Sequence, residues 1–122
     1  MINFKSVTNL LVATALLCGT VLLGPSAANA SEATVAEGKK LAFNRKKGNC
    51  LACHAIAGGA LPGNIGPPLV AMKARFPDAA VLRAQIWNAS AANPDTIMPP
   101  FGRHQILSDD EIDKITAFIH TL

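Results

Sequence analysis

The chain has 122 residues, with 11 Lys and Arg against 8 Asp and Glu, and half of its residues are hydrophobic. That length suits one small domain with a modest core. The small positive surplus is not the balance of a nucleic-acid-binding surface, so no nucleic acid partner is expected. There is no internal repeat, no low-complexity tract and no β-alternation of useful length, so an all-α fold is expected.

The N-terminus reads as an export signal. Lys5 is the sole charge before Glu32, an apolar run extends from Leu10 to Leu23, Gly24-Pro25 breaks it, and Ala28-Asn29-Ala30 has the small-x-small cleavage pattern. The run is shorter than the ~18 apolar residues of a spanning helix. Cleavage is therefore expected after Ala30, giving residues 1–30 as a removed signal, residues 31–122 as the domain, a periplasmic location and no membrane attachment. Removing Lys5 from the 11 basic residues leaves 10 against 8 acids. Cys18 lies within the run, preceded by Leu17 where a lipoprotein signal wants a small residue, so it is expected to leave with the signal.

Cys50 and Cys53 are then the remaining thiols. Cys50-Leu51-Ala52-Cys53-His54 is a C-x-x-C-H motif, the spacing that ties two thiols to the vinyl groups of one haem c and places the next histidine under the iron. A disulfide across two residues closes too small a loop to stabilise much. Structural zinc wants four ligands, and no second C-x-x-C exists. A thioredoxin-like site needs a βαβ setting that is absent.

A first helix is predicted from about Thr34 to Phe43, with Thr34-Val35-Ala36-Glu37 spaced as a capping box and Val35, Gly38, Leu41 and Ala42 on one face. The six residues Asn44–Asn49 then lead to Cys50. Proline and glycine punctuate the stretch from Gly58 to Leu69. A short helical patch is predicted near Val70 to Arg75. A longer helix opens at Pro77-Asp78 and runs to Trp87 or Asn88, with Ala79, Leu82 and Ile86 on one face. No periodicity survives from Ala89 to Arg103, and a loop that long is more often functional than accidental. The last helix is the clearest: Ser108-Asp109-Asp110-Glu111 is a capping box with three acids in the first turn, and Ile112, Ile115, Ile119 and Leu122 form its apolar stripe beside Phe118.

A low-spin electron carrier needs a sixth iron ligand. Met98 stands in the long loop, stiffened by Pro99-Pro100, and is the expected one, opposite His54. Met72, in the helical patch, is expected to fill core. His104 is a rival placed in a solvent-facing segment, and His120 shows no partner in the sequence. A metal-bound histidine hands its other N–H to an acceptor; the Pro67 carbonyl is one candidate, an ordinary rigid turn the other reading. Lys39, Lys40 and Arg45-Lys46-Lys47 could steer an acidic partner or simply solvate a helix end, the second being favoured. Phe76, Trp87 and Phe101 are candidates for an exposed apolar patch, each more often core.

Glu37-Gly38-Lys39-Lys40-Leu41, Cys50–His54, Gly66-Pro67-Pro68-Leu69 and the Met98 loop together resemble class I cytochromes c. The resemblance implies three to four helices around one covalent haem, crossed terminal helices with Gly38 against Phe118 or Ile119, and Pro67 as the carbonyl partner of His54. The Asn44–Asn49 insertion departs from the pattern and leaves open which aromatic fills the place before the haem motif. More narrowly, Gly48–His54, Pro62–Leu69 and Met98–Leu107 resemble SoxX, the monohaem subunits of the SoxAX cytochrome complexes of sulfur-oxidising bacteria. That resemblance implies a SoxA-like partner carrying the thiol chemistry of an L-cysteine S-thiosulfotransferase, with thiosulfate joined to a carrier-protein cysteine. This chain would take up the electrons and pass them to a small soluble cytochrome, without a catalytic nucleophile of its own. A free periplasmic shuttle and the haem subunit of another dehydrogenase are the alternatives.

Overall fold

A computed structural model describes the backbone from residue 27 and the side chains from residue 31 to Leu122. The apolar run 10–23 and Cys18 lie outside the described residues. Four α-helices are present among the described residues: α1 (Ala27–Phe43), α2 (Met72–Arg75), α3 (Ala79–Trp87) and α4 (Asp109–Ile119). Single 3-10 turns stand at Cys50–Ala52 and Ala89–Ala91. Among the described residues, extended structure is limited to an isolated parallel bridge between Ile56 and Leu69. No described helix is long and apolar enough to cross a membrane.

The helix α1 starts earlier than the sequence predicts. Alanine-rich backbone from Ala27 carries it through Thr34, so Thr34 is not an N-cap. Glu37 instead pairs with Lys40 one turn on, at 2.7 Å. At the other end of the chain α4 begins as predicted. The Ser108 hydroxyl accepts from Glu111 N–H at 3.2 Å, and Ser108 N–H donates to the Glu111 carboxylate at 3.0 Å.

Helices α1 and α4 pack against one another, and α3 packs on α4. The first contact is made at Gly38, where a Cβ would stand 1.9 Å from the Lys114 carbonyl oxygen and 3.0 Å from Phe118 Cβ. Only a bare Cα permits that approach. Phe43 closes the same crossing, its ring edge-on to Phe118 with centroids 5.9 Å apart. Phe43 thus fills the aromatic place that the insertion left open. The insertion itself folds back under α1: Gly48 N–H donates to Leu41 O at 3.1 Å and Asn49 N–H to Asn44 O at 3.0 Å.

Two side-chain links fix the remaining helices. Arg83 of α3 reaches both Asp109 and Asp113 of α4. The C-terminus is pinned twice over, by Met72 N–H donating to Leu122 O at 2.8 Å and by His120 Nε2–H donating to Phe76 O at 2.9 Å. The sequence offered no partner for His120; the partner is a backbone oxygen 44 residues away, which no local pattern displays. The core is Ala42, Ile56, Met72, Leu82, Ile86, Phe101, Leu107, Ile112, Ile115, Phe118 and Ile119. Met72 is among its most completely buried side chains, at 1 % exposure. Of the three aromatics proposed for a surface patch, Phe101 is core, Phe76 packs against the core and Trp87 is exposed.

Candidate functional site

The fold leaves one large cavity of about 630 Å³ between the Cys50–His54 turn, the loop around Met98 and the core faces of α3 and α4. Its size falls in the range of small-molecule and cofactor sites, about 300–1,000 Å³. Cys50, Cys53, His54, Pro67 and Met98 all line it. So do the apolar side chains Met72, Leu82, Ile86, Ile115 and Ile119.

The 3-10 turn at Cys50–Ala52 brings the two thiols to one wall. Asn49 precedes it in the left-handed region, at φ 48°, a conformation that asparagine tolerates better than most residues. His54 N–H then donates to Cys50 O at 2.9 Å and closes the turn. No disulfide joins the two cysteines, and both are partly buried. Burial pushes the Cys50 thiol up to about 11, against an ordinary value of 9.0, so without a covalent partner it stays protonated at neutral pH.

His54 is held on its far side. Its Nδ1 lies 2.7 Å from Pro67 O. A carbonyl oxygen can only accept, so Nδ1 carries a proton, and in the neutral imidazole Nε2 keeps the free lone pair. Gly66 presses on the same ring, where a Cβ would sit 2.5 Å from Cε1 and 2.6 Å from Nδ1. The imidazole is therefore fixed in tautomer by one residue and in position by its neighbour. Gly66 is a site residue that sequence reasoning placed only inside a turn.

Met98 is partly buried and packs against the core. Its N–H donates to Thr96 Oγ1 at 3.2 Å. His104, by contrast, is exposed and does not line the cavity.

The residues present suit a covalent haem. The walls are apolar, two thiols and one correctly protonated imidazole face the same space, and the charged side chains lining it are Arg45, Lys46, Lys47 and Arg75, with no carboxylate. A basic rim offsets the two carboxylates that a haem carries. The surface basic run is less available than its sequence suggests. Lys47 pairs with Glu111 at 2.7 Å, Lys40 with Glu37, and Lys39 stands over the Phe43 ring.

Comparison with known proteins agrees with this geometry. The cytochrome c family matches over residues 35–122, and the chain belongs to that family. Its structure is similar to the crystal structure of SoxXA from P. pantotrophus, with a TM-score of 0.64, 29% identity, and coverage of 70% of this chain and 79% of that one. The fold is thus that of a class I cytochrome c, and the chain is SoxX-like. It is also similar to an uncharacterized lipoprotein of Aquifex aeolicus (strain VF5), 37% identical over 76 residues. That match covers 62% of this chain, which spans 37% of the relative's length. Membership of the family implies a covalently bound haem c and electron transfer.

Proposed function

We propose that this chain is the electron-accepting, single-haem subunit of a periplasmic two-cytochrome complex that joins thiosulfate to a carrier-protein cysteine, exported by a signal removed after Ala30. The observation that carries its electron-transfer part is the His54 imidazole, held by Pro67 O with Nε2 free, on the wall of an apolar cavity that Met98 also lines. The likeness to SoxXA supports the complex and a SoxA-like partner.

When bound, the haem supplies a one-electron couple at its iron. Cys50 and Cys53 would hold it through thioethers to its two vinyl groups. His54 Nε2 and the Met98 sulfur would be the iron ligands, and a thioether would raise the potential relative to a second imidazole. With two ligands supplied by the chain, the site would serve electron transfer and not substrate binding. The apolar walls keep water from it.

Joining thiosulfate to a thiol forms one S–S bond and releases a proton and two electrons. The two thiols of residues 31–122 would be committed to haem, so the thiol that is joined would be the carrier's, and any further catalytic thiol would belong to the partner chain. The two electrons would leave one at a time by way of this chain, onward to a small soluble cytochrome, which balances the reaction.

The axial pair is tested by spectroscopy of the oxidised protein. The weak sulfur-to-iron charge-transfer band should vanish in Met98→Ala and survive in Met72→Leu. Loss in Met72→Leu instead would transfer the ligand role to the buried methionine.

A further inference from the structure

Trp87 is the single tryptophan of the chain and ends α3 at 37 % exposure. A large aromatic left that open at a helix end calls for an explanation, because exposing it costs apolar hydration. Its outer side faces a shallow groove with Ala80, Ala84 and Asn88. Its inner side lies on Gly102, where a Cβ would stand 1.9 Å from indole Cδ1 and 2.1 Å from Nε1. The ring therefore rests directly on the bare backbone of the loop that carries Met98.

The backbone makes the same connection. Trp87 O accepts from Gly102 N–H at 3.0 Å and from Arg103 N–H at 3.3 Å, satisfying one of the carbonyls that a helix C-terminus leaves open. The anchor is firm. Leu82 and Ile86 of α3 are buried, and Arg83 ties the helix to Asp109 and Asp113. Pro99, Pro100 and the buried Phe101 stand between Met98 and Gly102. Two proline rings fix two φ angles in that short span, so the place of Gly102 passes to Met98 with little slack.

We propose that Trp87 is a positioning residue for the Met98 sulfur: its indole and carbonyl clamp Gly102 and Arg103, and that clamp holds the thioether at the iron. A weak axial bond depends on such support, since small displacements of a ligand are enough to break it. The backbone acceptor would survive any side chain at position 87, so the indole is there for its contact with Gly102. This inference rests on Met98 being the sixth ligand.

Added imidazole competes with the sulfur for the sixth position, and its apparent affinity rises with the fraction of molecules in which the sulfur has left. In oxidised holoprotein, Trp87→Ala should bind imidazole about tenfold more tightly than wild type, with Trp87→Phe in between. Gly102→Ala should behave like Trp87→Ala, because the new methyl dislodges the ring. The double variant should be no worse than either single one, because the methyl then meets no indole. Lys114→Ala, which removes the Lys114–Asp110 pair on the exposed face of α4, sets the level that a general loss of stability produces and should stay near wild type. Imidazole binding in Trp87→Ala, Trp87→Phe and Gly102→Ala indistinguishable from Lys114→Ala, while Met98→Ala binds far more tightly, would overturn the clamp and leave the ligand assignment standing. Unchanged imidazole binding in Met98→Ala would overturn both. If Trp87→Ala fails to fold, Trp87→Phe and Gly102→Ala carry the test.

Discussion

The two methionines of the described chain show how residue-scale context separates equal side chains. Both line the cavity, but Met72 is buried in the core at 1 % exposure whereas Met98 is only partly buried. The sequence separated them because a helical patch and a proline-stiffened loop make different demands on the same thioether. The C-x-x-C-H motif was legible for a related reason: its chemistry needs residues that are contiguous. Gly66 was not, because its role lies in what a side chain there would strike, 12 residues from His54. Gly66→Ala should push the imidazole off Pro67 O. The expected outcome is a haem spectrum with a high-spin component and a lowered yield of the six-coordinate form. An unchanged low-spin spectrum in correctly loaded protein would show that the ring does not need this space.

At the scale of elements, terminal signals were read unequally. The Ser108 box stands as the sequence writes it, because nothing upstream of Ser108 can continue a helix through its extended backbone, at ψ 162°. The same spacing at Thr34 failed, because strong helix formers precede it and the helix simply runs on. Glu111 does more than cap. Its pairing with Lys47 ties the Asn44–Asn49 insertion to the start of α4. The hydrogen bond from Lys47, and then that from the Ser108 backbone, hold the Glu111 carboxyl below its ordinary value of 4.5. A carboxylate whose folded pKa is depressed contributes stability above its unfolded pKa, and that contribution is lost as the pH falls through the folded value. Glu111→Gln should therefore lower stability to denaturant at about pH 7 and have a much smaller effect at about pH 3. Lys47→Met should follow the same pattern. Equal losses at both pH values would mean that the effect is packing and not charge.

At the scale of the molecule, helix order, terminal crossing and the cavity all followed from patterns in the sequence, because a covalent haem dictates what must surround it. The insertion, the Arg83 pairs and the Trp87 clamp did not follow, since each joins residues far apart in sequence through contacts that have no periodic signature. The proposed role has this chain work as one of a pair: the likeness to SoxXA supports a second chain, and both thiols of residues 31–122 stand at the haem site, so a catalytic thiol other than the carrier's own cysteine would belong to that second chain. Gentle isolation of the native protein from the periplasm, with haem-stained electrophoresis of the eluted peak, tests that most directly. The account predicts co-elution with a second c-type haem chain and reduction of this chain's haem when thiosulfate and the carrier-protein thiol are supplied together. Elution as a lone monomer, with no second haem chain at any salt concentration, would contradict it and leave a free electron shuttle.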